Sequence, residues 1–435
     1  MVFREDFLQL VWKYQYFDKK ELQGVKGEAI RIIQVGFHNL SEGPDFRDSV
    51  VEIDGIAFHG HVEVHRLASD WKQHAHGGDP AYNSVVLHVV WENDQEVLRN
   101  DGTPMPTLEL KGKIFLEIWR NYERMLDYKA DLPCAHGVKD VPDIIRFSTL
   151  EKALVERLQE KSEVILRLLD QTKGDWEETA YRWLFNAFGF KVNSQAMLEL
   201  AERVPYKMLL KHRNQPTVLE AMLFGQAGLL PVHSDEPYVQ FLIREYEFYQ
   251  KKYGWTDSMK RQHWTFMGVR PTNFPSLRIA QLVAILAQAP SLLQAVMEDS
   301  RDFSAFRKLL QITPSDYWKH HYNFGKPTEK ASSKGVSSSV LQLLVINYVV
   351  PLWFTYGRFF QQPDWQERCF DLLQELSAES NFIIRKFEAV GWNAENGFDS
   401  QGMIGQFKTY CQPKKCLQCK IAQSLIKSDS KAGVG

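Results

Sequence analysis

Cysteine is scarce, with five in 435 residues, too few for a disulfide scaffold, so Cys134, Cys369, Cys411, Cys416 and Cys419 are expected as thiols or metal ligands. The first seventeen residues mix Arg4, Glu5, Asp6 and Lys13 with apolar residues at helical spacing. They lack the uninterrupted apolar core of a secretory leader, and a cytoplasmic location is the expectation. The longest apolar stretch, Val340 to Phe354, is shorter than the roughly 20 residues of a bilayer crossing and contains Asn347 and Pro351. It predicts a buried helix and no membrane partner. Neither sign of charge is in excess: the net charge is −2, so no global positive field advertises nucleic acid, and any such contact needs a local patch. There is no fixed-period repeat and no HExxH motif.

What is present is the composition of a folded chain, 44% hydrophobic and 13% aromatic with 12 Trp, long enough for at least two cores. Short β-type runs with turn signals fill the first 130 residues, and helix-type periodicity fills everything after about 145. The expectation is an α+β chain: a β-rich module over 1–130, a linker over 131–147 marked by Pro133, Gly137 and Pro142, and a helical domain over 148–435 that ends in a cysteine cluster. Ser148 and Glu151 have capping-box spacing ahead of a long apolar stripe. Further helices are predicted over Trp176–Phe188, Ser194–Val204, Tyr238–Tyr253, Leu277–Leu286 and Trp365–Leu376. Residues 325–339, rich in Gly, Ser and Lys, predict a mobile loop.

Chemistry concentrates in the first module. Asp54-Gly55 between two alternating runs is a strong hairpin signal. In the second strand Phe58, Gly60, Val62 and Val64 point one way, and His59, His61, Glu63 and His65 the other. Alternating His and Glu bring several ligand atoms to one surface, as a metal ion or an oriented general base requires; a merely solvated polar face is the plain alternative. Register decides whether Asp45, just before the first strand, joins them. With a strict two-residue turn Asp45 opposes Val64 on the core face and Asp48 opposes His61. One extra residue at the turn would move Asp45 opposite His65. Asp45, Glu63 and His65 form the expected catalytic set, with Asp48, His61 and His38 in reserve.

Pro44-Asp45, a hairpin, then Glu63-Val64-His65 resembles the core signature of the PD-(D/E)XK nuclease-like superfamily. That resemblance implies Mg²⁺ or Mn²⁺ on Asp45 and Glu63 and a phosphodiesterase acting on nucleic acid, with His65 where the superfamily has a Lys that positions or activates water. Over most of its length the chain also resembles a bacterial family known only as domain of unknown function 2851, through GFHNLSEGPDF, GHVEVHRLASDW, DPAYNSVVLHVVW, PTLEL and YCQPKKCLQC. That family implies no activity.

Two other functions fit the residues. One is a non-catalytic nucleic-acid-binding or assembly protein with a drifted nuclease core. The other is a zinc-dependent hydrolase of small molecules using His61, His65, His74, His76 or His88 with Glu63 as base. Basic residues beside aromatics in the helical half, among them Lys207–Arg213, Lys260, Arg261, Arg270, Arg278 and Lys319, could line a groove for phosphates.

At the far end, Cys411, Cys416 and Cys419 have C-x4-C-x2-C spacing, suited to zinc first or to an iron–sulfur cluster, with a distant fourth ligand; Cys134 and His136 are the candidates. Some iron–sulfur nucleases of the superfamily likewise join one upstream Cys to three late ones, at a different late spacing. Cys369, on an amphipathic run, is expected as plain core.

Overall fold

The computed structural model describes residues 3–39, 41–74, 76–127, 130–298 and 302–428. It is α+β, with a mixed sheet near the N-terminus and a largely helical remainder. Two compact units interleave along the chain: the first takes 1–149, 386–392 and 406–435, the second 150–385 and 393–405.

In the first unit, helix α1 (Glu5–Tyr14) precedes strands β1 (Ile30–Gln34), β2 (Phe37–His38), β3 (Phe46–Ile53) and β4 (Ile56–Leu67). Helix α2 (Asp70–Gln73), β5 (Val85–Glu92), β6 (Thr107–Glu109) and α3 (Leu116–Asp127) follow. The sheet order is β1-β3-β4-β5-β6, with β2 beside β3. The pairs from β1 to β4 are antiparallel and those from β4 to β6 parallel. Asp54 and Gly55 both take positive φ, 49° and 82°, as a two-residue turn matched to strand twist demands.

The hairpin register contains a bulge, in a different place and sense from the one expected. Ile53 faces Ile56 across a strict two-residue turn, and the slip lies between Phe46 and Ser49, where Phe46 faces Val62 and Ser49 faces Gly60. Arg47 and Asp48 thus share one partner position. Asp48, at φ 56°, absorbs the extra residue, and beyond it the register carries Asp45 toward Glu63 rather than toward Val64 or His65.

The end of β4 also departs from a one-faced strand. Val62, Glu63, Val64 and His65 are all buried, because α1 and α2 pack on β4 and cover the face that alternation alone leaves to solvent. The segment 131–147, read from its Pro and Gly content as a linker, is largely packed: Leu132, Val138 and Val141 are buried. Its last part is already helical. The helix runs Asp143–Gln171, directly behind Pro142, which suits a helix start; Ser148 lies inside it and bonds back to the Ile145 carbonyl instead of capping.

In the second unit, helices Trp176–Phe188, Ser194–Arg203, Pro216–Gln226, Pro237–Tyr253 and Pro275–Gln288 share one core that includes Leu184, Leu219, Leu223, Leu282 and Leu286. The helical run Ser338–Phe359 is long and apolar enough to cross a membrane, yet two-thirds of its most apolar window (67%) is buried inside the protein. Lys334, in the stretch expected as a mobile loop, is buried against Tyr322, and the Gln281 amide holds its carbonyl at 2.7 Å.

Candidate metal centre

Four elements converge at the buried end of β4. The bulge delivers Asp45; β4 supplies Glu63 and His65; the turn after α2 supplies His74 and His76; α1 lays Glu5 and Gln9 over them. Asp45 and Glu63 are cross-linked through the backbone. The Asp45 N–H donates to Glu63 Oε2 at 3.0 Å, and Val64 N–H donates to Asp45 Oδ2 at 3.0 Å. Gln9 Nε2 donates to Asp45 Oδ1 at 2.8 Å. Glu63 Oε1 remains, and it faces His65 Nε2 at 3.4 Å and His76 Nε2 at 3.3 Å.

One ligand nitrogen from each of His65, His74 and His76 lies within 4.8 Å of the others. His65 and His76 have buried Nε2 atoms without a hydrogen-bond partner. Buried polar atoms are nearly always satisfied, so two orphaned imidazole nitrogens aimed at the same carboxylate oxygen fit a cation between them. Behind them, His65 Nδ1 meets His88 Nε2 at 2.9 Å, the outer hydrogen bond that orients a metal-ligating histidine. His76 is stacked on Tyr82 with centroids 3.8 Å apart.

The electrostatics suit a cation at this point. Burial holds Asp45 and Glu63 well above the usual carboxylate range, and the Glu63 charge pushes Asp45 further. Burial, reinforced by the neighbouring histidines, drives His65 down to about 2 and His88 to about 3. These two imidazoles are therefore neutral, and the neutral form is the one that ligates metal. The donor set decides which metals suit it. Magnesium demands oxygen ligands in octahedral array, whereas an imidazole-rich site suits zinc and related transition ions.

Of the reserve residues, none reaches this point. Asp48 is exposed in the bulge, and its N–H donates to His61 Nδ1 at 3.3 Å. His38 stacks on Phe46 with centroids 4.9 Å apart. Glu5 and Gln9 had no sequence signal, since they stand on a helix about 40 residues before the strand they serve. His74 and His76 were visible only as members of a histidine-dense stretch.

A cleft of about 260 Å³ opens beside His76, lined by Trp71, Tyr82, Asn83, Arg99 and Asn100 among others. Arg99 is anchored by its bond to the Val85 carbonyl at 2.7 Å. Of the basic residues of the helical half, Lys207, Lys260, Arg261 and Arg270 are exposed, whereas Arg278 is buried. Arg278 is 2% exposed and donates to Gln281 and Asn273; Lys207 pairs with Asp175 and Lys319 with Asp316.

Comparison with known families gives a match over residues 5–382 to a family described as protein of unknown function (DUF2851). The chain belongs to that family. No curated protein and no solved structure matches it.

Proposed function

We propose that the first unit is a divalent-metal-dependent phosphodiesterase acting on nucleic acid, with zinc or manganese favoured over magnesium. The observation that carries this reading is the convergence of Glu63 with His65, His74 and His76, two of which, His65 and His76, have buried Nε2 atoms without partners. Glu63 and the three imidazoles would hold the ion, which supplies Lewis-acid polarisation and a more acidic water when bound. Asp45, raised by burial and by Glu63, is suited to take a proton near neutral pH. Gln9 and the Val64 N–H fix its direction, and His88 fixes the tautomer of His65. Arg99 in the adjoining cleft offers a cation to a phosphate. The order Asp45, hairpin, Glu63-x-His65, with the bulge bringing the two acids together, supports the nuclease-like reading over an unrelated arrangement.

The imidazole-rich donor set also favours a second reading, a zinc hydrolase of small molecules. The test uses chelator-stripped full-length chain with zinc, manganese or magnesium added singly, assayed on bis(4-nitrophenyl) phosphate and on single- and double-stranded DNA and RNA. Zinc or manganese should restore cleavage. Asp45→Asn and Glu63→Gln should abolish it, and His88→Ala should lower it by about 10- to 100-fold. Cleavage that survives both acid substitutions overturns the assignment. Hydrolysis of a small ester without any phosphodiester supports the second reading, and salt-dependent retention of nucleic acid indifferent to both substitutions supports a non-catalytic binder.

A further inference from the structure

The late cysteines sit on a chain path shaped to present them together. Helix Gly397–Gln406 runs into a wider π-type turn, Phe407–Cys411, then the short turn Cys416–Gln418 and helix Lys420–Ser428. Gln406, 3% exposed, donates its amide to Cys419 Sγ at 3.1 Å and reaches Cys411 Sγ at 3.9 Å. The Cys419 N–H closes the turn on the Cys416 carbonyl at 3.0 Å.

Cys134 arrives from almost 280 residues earlier in the sequence. Its carbonyl accepts the N–H groups of Gly137 and Val138 at 3.1 and 3.0 Å. The turn it starts is seated on the last helix: a Cβ at Gly137 would stand 2.8 Å from Leu425 Cδ2. All four thiols are buried and none is in a disulfide. Cys134 lies within electrostatic reach of Cys416 and Cys419, and Cys411 within reach of the other three.

The late three cysteines stand at C-x4-C-x2-C, the spacing of the first three ligands of plant-type [2Fe–2S] sites. Four buried sulfurs, two of them touched by a hydrogen-bond donor, suit a polynuclear centre whose corners carry the thiolates.

We infer that Cys134, Cys411, Cys416 and Cys419 ligate an iron–sulfur cluster. It ties the C-terminal segment to the turn at 132–138 within the first unit, and it does not depend on the histidine-rich site or its activity.

The test is to purify the full-length chain without oxygen and to measure iron, acid-labile sulfide, zinc and visible absorption, with electron paramagnetic resonance before and after dithionite. Iron and sulfide in cluster proportion, with broad visible absorption, are expected. Cys134→Ser and Cys416→Ser should lose them, whereas Cys369→Ser, whose thiol contacts only the Val350 carbonyl among its described polar partners, should keep them. Zinc without sulfide, or no metal at all, in the wild-type chain overturns the cluster, and so does iron retained in both ligand variants. Should the ligand variants prove insoluble, the wild-type iron and sulfide content still decides.

Discussion

Glu63 illustrates how one side chain is assigned work by its two oxygens. Oε2 is committed to the Asp45 N–H, which keeps the loop before β3 against β4, while Oε1 faces two imidazole nitrogens. Glu63→Gln keeps an oxygen for the first contact and removes the charge from the second, so it tests chemistry more than folding. A different buried acid carries a stability prediction. Glu220, 1% exposed, accepts from Tyr238, Ser315 and Trp318 and finds no cation among the described residues. Burial raises its pKa to about 7. The folded chain therefore keeps a proton that the unfolded chain releases near the ordinary carboxylate value of about 4.3. The resulting stabilisation is complete below that value and is lost as pH rises through about 7. Between pH 4.5 and 8 the loss should be on the order of 3 kcal/mol. Urea denaturation at both pH values should show this decline in the wild type and a flatter profile in Glu220→Gln. Equal slopes would mean that Glu220 ionises as freely in the fold as in the open chain.

Among the elements, the β3–β4 hairpin determines the site more than any other. Its turn, its alternation and its pairing were legible, because Asp-Gly chemistry and period-two patterning are local properties. The position of the bulge was not. Nothing in Arg47-Asp48 signals which residue will take positive φ; the slip is set by β1 and β2, which pair the same strand from its other edge. Gly60 records another non-local demand. A Cβ there would stand 2.3 Å from the Ser84 carbonyl oxygen and 2.5 Å from Val86 Cγ1, since β5 passes directly against it. Gly60→Ala should therefore push β4 and β5 apart and cost about 1–3 kcal/mol, read as a lowered midpoint in thermal melting with weakened zinc or manganese binding. A variant as stable as wild type would show that β5 yields at no cost.

At the scale of the molecule, the first unit is completed by residues from the far end of the chain. Phe407, Tyr410, Leu417, Ile421, Ala422 and Ile426 are buried, Asn121 donates to the Ile426 carbonyl at 3.2 Å, and Leu425 packs beside Gly137. Burying a large apolar side chain contributes about 1.5–3 kcal/mol, so these residues together match the entire net stability of a typical domain, about 5–15 kcal/mol. A chain ending at Gly405 should lose hydrogen-exchange protection in β3, β4 and β5 and with it the metal site. Protection retained at wild-type level would show that the sheet is stable without its C-terminal cover.

Taken alone, the sequence determined the order of elements: the strands, the Asp54-Gly55 turn, and helices such as Trp176–Phe188, whose periodicity and flanking breakers act over a few residues. It also placed Asp45, Glu63 and His65 in one neighbourhood and offered Cys134 or His136 as a distant partner for the late cysteines. Tertiary structure alone decided that Asp48 is spent in a bulge, that Glu5 and Gln9 reach the acids, that His74 and His76 face Glu63, and that the last segment belongs with the first unit. Local propensity falls away within a turn or two of chain. Which side chains meet across 40 or 280 residues depends on how whole faces pack, and the burial that raises Asp45 and empties His65 of its proton exists only once they have.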